Sequence, residues 1–316
     1  MYTFKETNAK DSYKIWKQSP NASIYTNPEF LSNLKNIKYY SVYNGEEPLC
    51  CWPVHLSENE HLNIPDFFYY FGPFWSKIIL ETPNHSWLSK SSKVYECFLE
   101  TLTKKYKKIN FQFHYSLSDV RIFDWWNYNT KKNKFDIKVK YTALINQLKI
   151  KNEKEILSNY RYVRRYEIKN FKENESKIYL SDKISVDELI KIYFDTIKEK
   201  YSKKYEQSLI EKLIFLHNMC EKKFGKIYAY REKKSNKLIC LILILLDKNS
   251  AHLVLNLSTK DWKSENIMSW AIHKLILSVK SLDIDVLDFN GANSPKLGDD
   301  KQSYGCMTKT YFDFYF

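Results

Sequence analysis

Nine consecutive apolar residues, Leu238-Ile239-Cys240-Leu241-Ile242-Leu243-Ile244-Leu245-Leu246, constrain the fold of this chain more than any other feature. A strand that is apolar at every position has to be buried on both faces. The run is also less than half of the ~20 residues that a bilayer-spanning helix requires. Polar turns at 233–236 and 248–250 bound it and predict an antiparallel meander of strands over 225–231, 238–246 and 252–258. A helical pattern over 264–282 follows, then a strand over 285–289. A crossover of that length returns the chain parallel to the strand before it. A polar loop at 297–302 leads into a last strand, 308–316.

Ahead of this third, short elements alternate. Helices are expected over 8–18 and 27–36, with Pro28 in the first turn of the second. Strands over 39–43 and 48–56 flank Asn44-Gly45-Glu46-Glu47, a hairpin turn. An aromatic segment, 67–75, precedes a helix over 85–106 and strands over 109–113 and 137–148. A strongly charged helix over 152–170, a short strand over 178–180 and amphipathic helices over 186–201 and 206–224 complete the pattern. At 316 residues the chain predicts two domains, 1–150 and 151–316, in the mixed α/β (α+β) class.

Composition narrows the function. With 44% hydrophobic and 16% aromatic residues the chain is not a disordered one. Only 6 glycines argue against a glycine-rich phosphate loop. The net charge of +13 either draws polyanions or reflects lysine used wherever a solvated charge is needed. Six cysteines show no two-residue spacing and seven histidines are scattered, so no metal site is expected. Unpaired thiols and an N-terminus without a basic-then-apolar leader predict a soluble, cytoplasmic protein without membrane insertion.

Three motifs sharpen the topology. Leu157-Ser158-Asn159-Tyr160-Arg161-Tyr162-Val163-Arg164-Arg165 resembles the arginine-rich helix of the FemABX-like (BioF2-like) branch of the GNAT acyltransferase superfamily. Tyr70-Phe71-Gly72-Pro73-Phe74 resembles the aromatic-Gly-Pro element of that branch's first domain. Asp288-Phe289-Asn290-Gly291-Ala292, with Lys301-Gln302-Ser303-Tyr304-Gly305-Cys306 after it, resembles the branch's terminal signature. Asn290 stands where that signature has an acid, Ala292 where it has Ser, and Tyr304 where it has Phe.

The resemblance implies two tandem GNAT-like domains, the second carrying the acyl-donor site. The branch uses either an acyl-coenzyme A or an aminoacyl-tRNA donor, and some relatives N-acylate nucleotide-linked amino sugars for surface polysaccharide. The expected activity is therefore an N-acyltransferase moving an acyl group from acyl-coenzyme A, as co-substrate, to the amine of a nucleotide-linked amino sugar (a dTDP- or UDP-amino-deoxysugar). The alternatives are an aminoacyl-tRNA-dependent transferase extending a peptidoglycan peptide, or a non-catalytic nucleic-acid-binding module. Helices over 186–224 are too short for the long projecting arm of many tRNA-dependent members.

Amide formation needs a neutral amine at the donor carbonyl, donors for the oxyanion and removal of one proton. A crevice between the parallel strands 252–258 and 285–289, at their carboxyl ends, is the expected place. Asp288 is the candidate for taking the proton or binding the amine, or else a structural carboxylate in the turn before Gly291. Asn290 is the candidate for holding the acceptor, and Tyr304 for protonating the leaving thiolate. For the donor, Asn256, Leu257, Ser258, Lys260, Lys263 and Ser264 surround an expected helix N-terminus at Ser264, where free N–H groups favour a pyrophosphate. Ser264 capping a helix beside solvated lysines is the plainer alternative. For the acceptor, Tyr160, Arg161, Arg164 and Arg165 offer guanidinium forks suited to phosphate, unless they pair with Glu155 or Glu167. Tyr70 either stacks on a base or belongs to the core.

Overall fold

The computed structural model describes residues 2–57, 59–181, 183–197 and 203–316. The chain divides into two compact units. Unit 1 comprises Met1–Tyr141 with Lys309–Phe316, and unit 2 comprises Thr142–Thr308. The strands β6 (Asp136–Ile145) and β12 (Met307–Tyr315) carry the chain out of unit 1 and back into it.

Unit 1 opens with β1 (Tyr2–Thr7), α1 (Ala9–Gln18), a single 3-10 turn (Ile24–Thr26) and α2 (Pro28–Leu31). Next come β2 (Ile37–Asn44), β3 (Glu47–His55), β4 (Phe74–Trp75), α3 (Lys77–Leu80), α4 (Asn84–Lys105), β5 (Asn110–Gln112) and α5 (Arg121–Asp124). β1 to β4 form an antiparallel sheet in chain order. The hairpin at Gly45 is as expected: Asn44 pairs with Glu47, and Gly45 takes φ +62°. β1, a strand not expected from the sequence, pairs along its whole length with β2. Asn8 then caps α1, its side chain accepting the Asp11 N–H at 2.9 Å.

The core of unit 1 is aromatic. The Trp52 ring lies 4.4 Å from Phe111 and 5.4 Å from Phe98, and Phe111 stacks at 4.5 Å on Phe314. Phe314 belongs to β12, which pairs antiparallel with β5 through Asp313↔Gln112 and Tyr315↔Asn110. The last eight residues thus join the first unit rather than a domain spanning 151–316, because Phe314 completes the aromatic cluster there. Gly72 sits where a Cβ would meet the Gln112 carbonyl oxygen at 2.3 Å, so only glycine lets this loop approach β5.

Unit 2 contains α6 (Glu153–Ser158), α7 (Tyr162–Glu175), β7 (Ile178–Ser181), α8 (Val186–Thr196), α9 (Lys203–Glu221) and β8 (Gly225–Glu232). Then follow β9 (Leu238–Leu246), β10 (Ser250–Ser258), α10 (Lys260–Ser264), α11 (Ile267–Ser281), β11 (Val286–Asp288) and α12 (Pro295–Gln302). Its strand order is β6-β11-β10-β9-β8-β7, with β10 and β11 parallel and the other neighbours antiparallel. The expected meander, crossover helix and parallel strand are all present. β9 is buried from Ile239 to Leu245, and both α11 and α8 pack against it.

Several local expectations change. The charged helix over 152–170 is two helices, α6 and α7, broken where the Tyr160 side chain turns into the core. The helix expected over 264–282 is α11 and starts later, at Ile267, because Asn266 takes φ +63°; Ser264 ends the short α10 instead. The polar stretch 297–302 is not a loop but lies in α12, with Ser294 as N-cap and Pro295 in the first turn. Of the helix expected over 186–201, residues 198–201 lie outside the described ones. No helix among the described residues is long and apolar enough to cross a membrane.

Candidate active site

β10 and β11 diverge. Their pairing runs Ser250↔Val286, Ala251↔Leu287 and His252↔Asp288, and ends there, while β10 continues to Ser258. A register shift against β9 between Leu253 and Leu255 leaves Val254 as a bulge, which bends β10 just past the last pair. Asn290 closes the apex of the split: its Nδ2 donates to the Leu253 carbonyl at 2.8 Å. It does so from φ +53°, a left-handed conformation that Asn tolerates better than most residues. A crevice at the carboxyl ends of parallel strands is where α/β sheets receive ligands.

A charged cluster is buried beneath this apex. His252 Nε2 donates to Asp247 at 2.9 Å, and its Nδ1 lies 3.6 Å from Asp288. Burial alone would lower the imidazole; the hydrogen bonds and charges of the two carboxylates raise it to about 9. Burial alone would likewise raise the Asp247 carboxyl, but His252 and the Asn249 and Ser250 N–H groups bring it below its ordinary value. Asp288 is fully buried and accepts from Thr142 Oγ1 at 2.5 Å and from the Asn290 N–H at 2.8 Å. The two carboxylates approach opposite ring nitrogens of His252 and so do not converge on a common point. Among the described residues no group of three His, Cys, Asp or Glu side chains is placed to hold a metal ion.

Lys301 links this cluster to the motif that follows it. Its ammonium donates to three successive carbonyls, Phe289 at 2.8 Å, Asn290 at 2.5 Å and Gly291 at 2.6 Å. Burial lowers it to about 8, opposed by the charge of Asp288. Three carbonyls on one cation fix the backbone of the turn that presents Asn290.

The arginine-rich segment and the terminal motif, about 140 residues apart in sequence, lock together. The Arg161 N–H donates to the Ser303 carbonyl at 2.9 Å. Arg164, half-buried, donates to Ser303 Oγ at 2.7 Å, Glu167 at 2.8 Å, Ser269 Oγ at 3.0 Å and also to Asp300. Its guanidinium lies 5.0 Å from the Tyr304 ring centroid. At Gly305, φ +73°, a Cβ would stand 2.8 Å from the Asn159 carbonyl oxygen, so the last turn before β12 fits only without one.

The sequence-predicted residues divide accordingly. Asp288 and Asn290 come together at the apex. Tyr304 is near them, stacked on Phe289 at 5.9 Å, with its hydroxyl 3.5 Å from Ser269 Oγ; burial raises its phenol, the Arg164 charge opposing. Tyr160 is buried against Tyr304 and His273. Arg161 pairs with Asp299 at 2.6 Å on the surface, and Arg165 turns back to the Tyr160 carbonyl. The three arginines therefore do not form one ligand-facing row, since only Arg164 reaches the network around Tyr304. On β10, Asn256 is exposed while Leu257 and Ser258 are buried. Lys260 and Lys263 are exposed on α10. Ser264 is the last residue of α10, its hydroxyl donating to the Asp261 carbonyl, and not the start of a helix; the expected N-terminal pyrophosphate seat at Ser264 is thus displaced. Tyr70 is enclosed by Tyr25, His114, Tyr115 and Tyr311 in the core of unit 1.

His252, Asp247, Thr142 and Lys301 were missed by the sequence reading. A histidine within an otherwise apolar strand and a lysine opening the last motif were the available signals, but neither names its partners.

No family model matches the sequence, and neither does any curated protein. Solved structures match in fold. One described as FemX aligns over 98% of this chain and 96% of its own, with a TM-score of 0.63 at 9% identity. L-PGS from Bacillus licheniformis aligns over 98% and 92%, with a TM-score of 0.55 at 9% identity. A tandem GNAT protein from the clavulanic acid biosynthesis pathway aligns over 100% and 98%, with a TM-score of 0.54 at 7% identity. Likeness at such identities establishes the fold and nothing narrower. This chain has the mixed α+β, GNAT-type fold that FemX, L-PGS and the tandem GNAT protein share.

Proposed function

We propose that the chain is an N-acyltransferase that works at the β10–β11 split of its second GNAT-like domain, residues 142–308. The observation that carries the reading is the split itself: parallel strands that part after His252 and Asp288, with Asn290 pinned at the apex by its bond to Leu253 and by Lys301. A donor carbonyl lying along the open side of β10 would meet backbone groups able to hold its oxygen. Asn290 is suited to orient the acceptor amine. Asp288, held by Thr142 and His252, fixes the turn electrostatically and is the proposed acceptor of the proton that the amine gives up, which solvent then returns to Tyr304 after Tyr304 has protonated the leaving thiolate. Tyr304 is the proposed proton donor to the leaving group. Lys260 and Lys263, exposed on α10 after β10, are the proposed contacts for donor phosphates.

Acyl-coenzyme A is the proposed donor and a nucleotide-linked amino sugar the proposed acceptor, in the cytoplasm. A second reading, an aminoacyl-tRNA-dependent transferase extending a peptidoglycan peptide, is supported by the likeness to FemX. Thermal unfolding separates the two. A ligand at a hundred times its dissociation constant adds about 2.7 kcal/mol of stability. A shift with acetyl-coenzyme A that survives moderate salt, and is weakened in Lys260→Ala with Lys263→Ala, is the expected result. A shift with total tRNA alone, fading steeply with salt, would replace it with the second reading.

A further inference from the structure

Unit 1 carries an aromatic and basic surface loop that the proposed acyl-transfer site does not include. Between Trp125 and Phe135 the sequence holds two tryptophans, a tyrosine and three lysines, Lys131, Lys132 and Lys134, with no acidic residue. The roots of this segment are fixed in the core, where Phe123 and Phe135 are buried with ring centroids 5.4 Å apart. Asn127 Nδ2 closes the neck by donating to the Asn133 carbonyl at 2.6 Å. Within the loop, the Tyr128 and Thr130 N–H groups donate to the Trp125 and Asn127 carbonyls, each at 3.0 Å. Beyond the neck, seven consecutive residues, 128–134, are exposed. Trp125 is 47% exposed and Tyr128 67%. Each ring has a cation beside it: Arg121 lies 5.9 Å from the Trp125 centroid and Lys134 lies 5.1 Å from that of Tyr128.

Amphipathic rings next to ammonium groups suit the interface of an anionic bilayer. There the rings settle at the level of the headgroups and the cations meet lipid phosphates. Between Trp125 and Phe135 every charge is positive, with exposed Asp124 and Asp136 just outside the segment and Arg121 paired to Asp119 at 2.8 Å, whereas binders of single nucleic-acid strands track the backbone along an extended groove. We propose that the 125–134 loop docks the protein peripherally on anionic membrane surfaces, with Trp125 and Tyr128 entering the headgroup layer and Lys131, Lys132 and Lys134 facing lipid phosphates. Such docking needs no spanning helix, and it stands or falls separately from the acyl-transfer reading.

Flotation of the full chain with vesicles tests this, using phosphatidylcholine alone and phosphatidylcholine mixed with phosphatidylglycerol, at moderate salt. The protein should float with the anionic vesicles only, with a blue shift of its tryptophan emission. Each lysine near such a surface strengthens partitioning by about fivefold. Lys131→Glu with Lys132→Glu should therefore weaken it by at least an order of magnitude. Trp125→Ala with Tyr128→Ala should abolish the emission shift and most of the flotation while leaving the circular dichroism spectrum unchanged. No flotation of the parent protein overturns the proposal. Undiminished flotation of the aromatic variant also overturns it, assigning the binding to overall charge. Loss of tRNA binding in these variants, from a parent that ignores vesicles, makes the loop a nucleic-acid surface instead.

Discussion

The two units solve the problem of a stable interior with different chemistry. In unit 1 the interior is a mesh of rings, with Trp52, Phe111, Phe113, Phe123 and Phe314 in mutual contact. In unit 2 an aliphatic sheet centred on β9 borders a buried set of charges, Asp247, His252, Asp288 and Lys301. Rings stabilise by area and shape alone, and their contribution is indifferent to pH. Buried charges contribute only while each has its partners, because an unpaired one carries its full desolvation penalty. The contrast locates the specialised chemistry: charge is buried where β10 and β11 part, and the turn that presents Asn290 is held by it.

The largest expected effect tests the aromatic side. Trp52→Ala removes a ring packed against Phe98, Phe111 and Phe123. It should lower the free energy of urea unfolding by about 3–5 kcal/mol, equally at pH 6.5 and pH 9. A loss below about 1 kcal/mol would mean that the mesh is not what holds this interior.

The charged side should respond to pH instead. His252 has a folded value near 9 against an ordinary 6.5, so its stabilisation is complete below pH 6.5 and disappears as pH rises through 9. Lys301 works the other way: its folded value is near 8 and its ordinary one 10.5, so its penalty is relieved between pH 8 and 10.5. Urea midpoints should therefore fall between pH 6.5 and 8, where His252 acts alone of the two. That fall, on the order of 1–2 kcal/mol, should be absent in His252→Asn. An identical slope in parent and variant would remove His252 from the charged cluster as a titrating member.

A last comparison sets two arginines one turn apart against each other. Arg164→Ala strips partners from Glu167, Ser269, Asp300 and Ser303 and should cost about 2 kcal/mol. Arg161→Ala breaks only a solvated pair with Asp299 and should leave the urea midpoint unchanged. Equal losses would contradict the inward and outward roles the structure gives them.

Much of unit 2 was legible because its signals are local. The all-apolar run from Leu238 to Leu246 predicted β9, the polar turns beside it predicted β8 and β10, and the following helical pattern predicted the parallel return to β11. The late start of α11 was not legible: Asn266 is a residue that tolerates a left-handed φ, but it stands in an otherwise helical pattern. α12 was legible in principle from Ser294-Pro295, a cap followed by a first-turn proline, but its polar composition reads as a loop. At the site, Asp288 and Asn290 stood out within a motif. His252 and Lys301 did not, because a buried histidine or lysine is recognised by partners that lie 5 to 36 residues away.

By itself, then, the amino-acid sequence determined the meander, crossover helix and parallel strand of the last third, the glycine-dependent turn at Gly45 and the three motifs. Each of these follows from hydrophobic period or backbone freedom, which act over a few residues. The tertiary structure alone decided that β12 joins the first unit and that Arg164 serves Tyr304 rather than a surface row. It also decided that one histidine sits between two carboxylates beneath the split. These are pairings between distant segments, and their energies depend on distance and burial, which the order of residues along the chain does not specify.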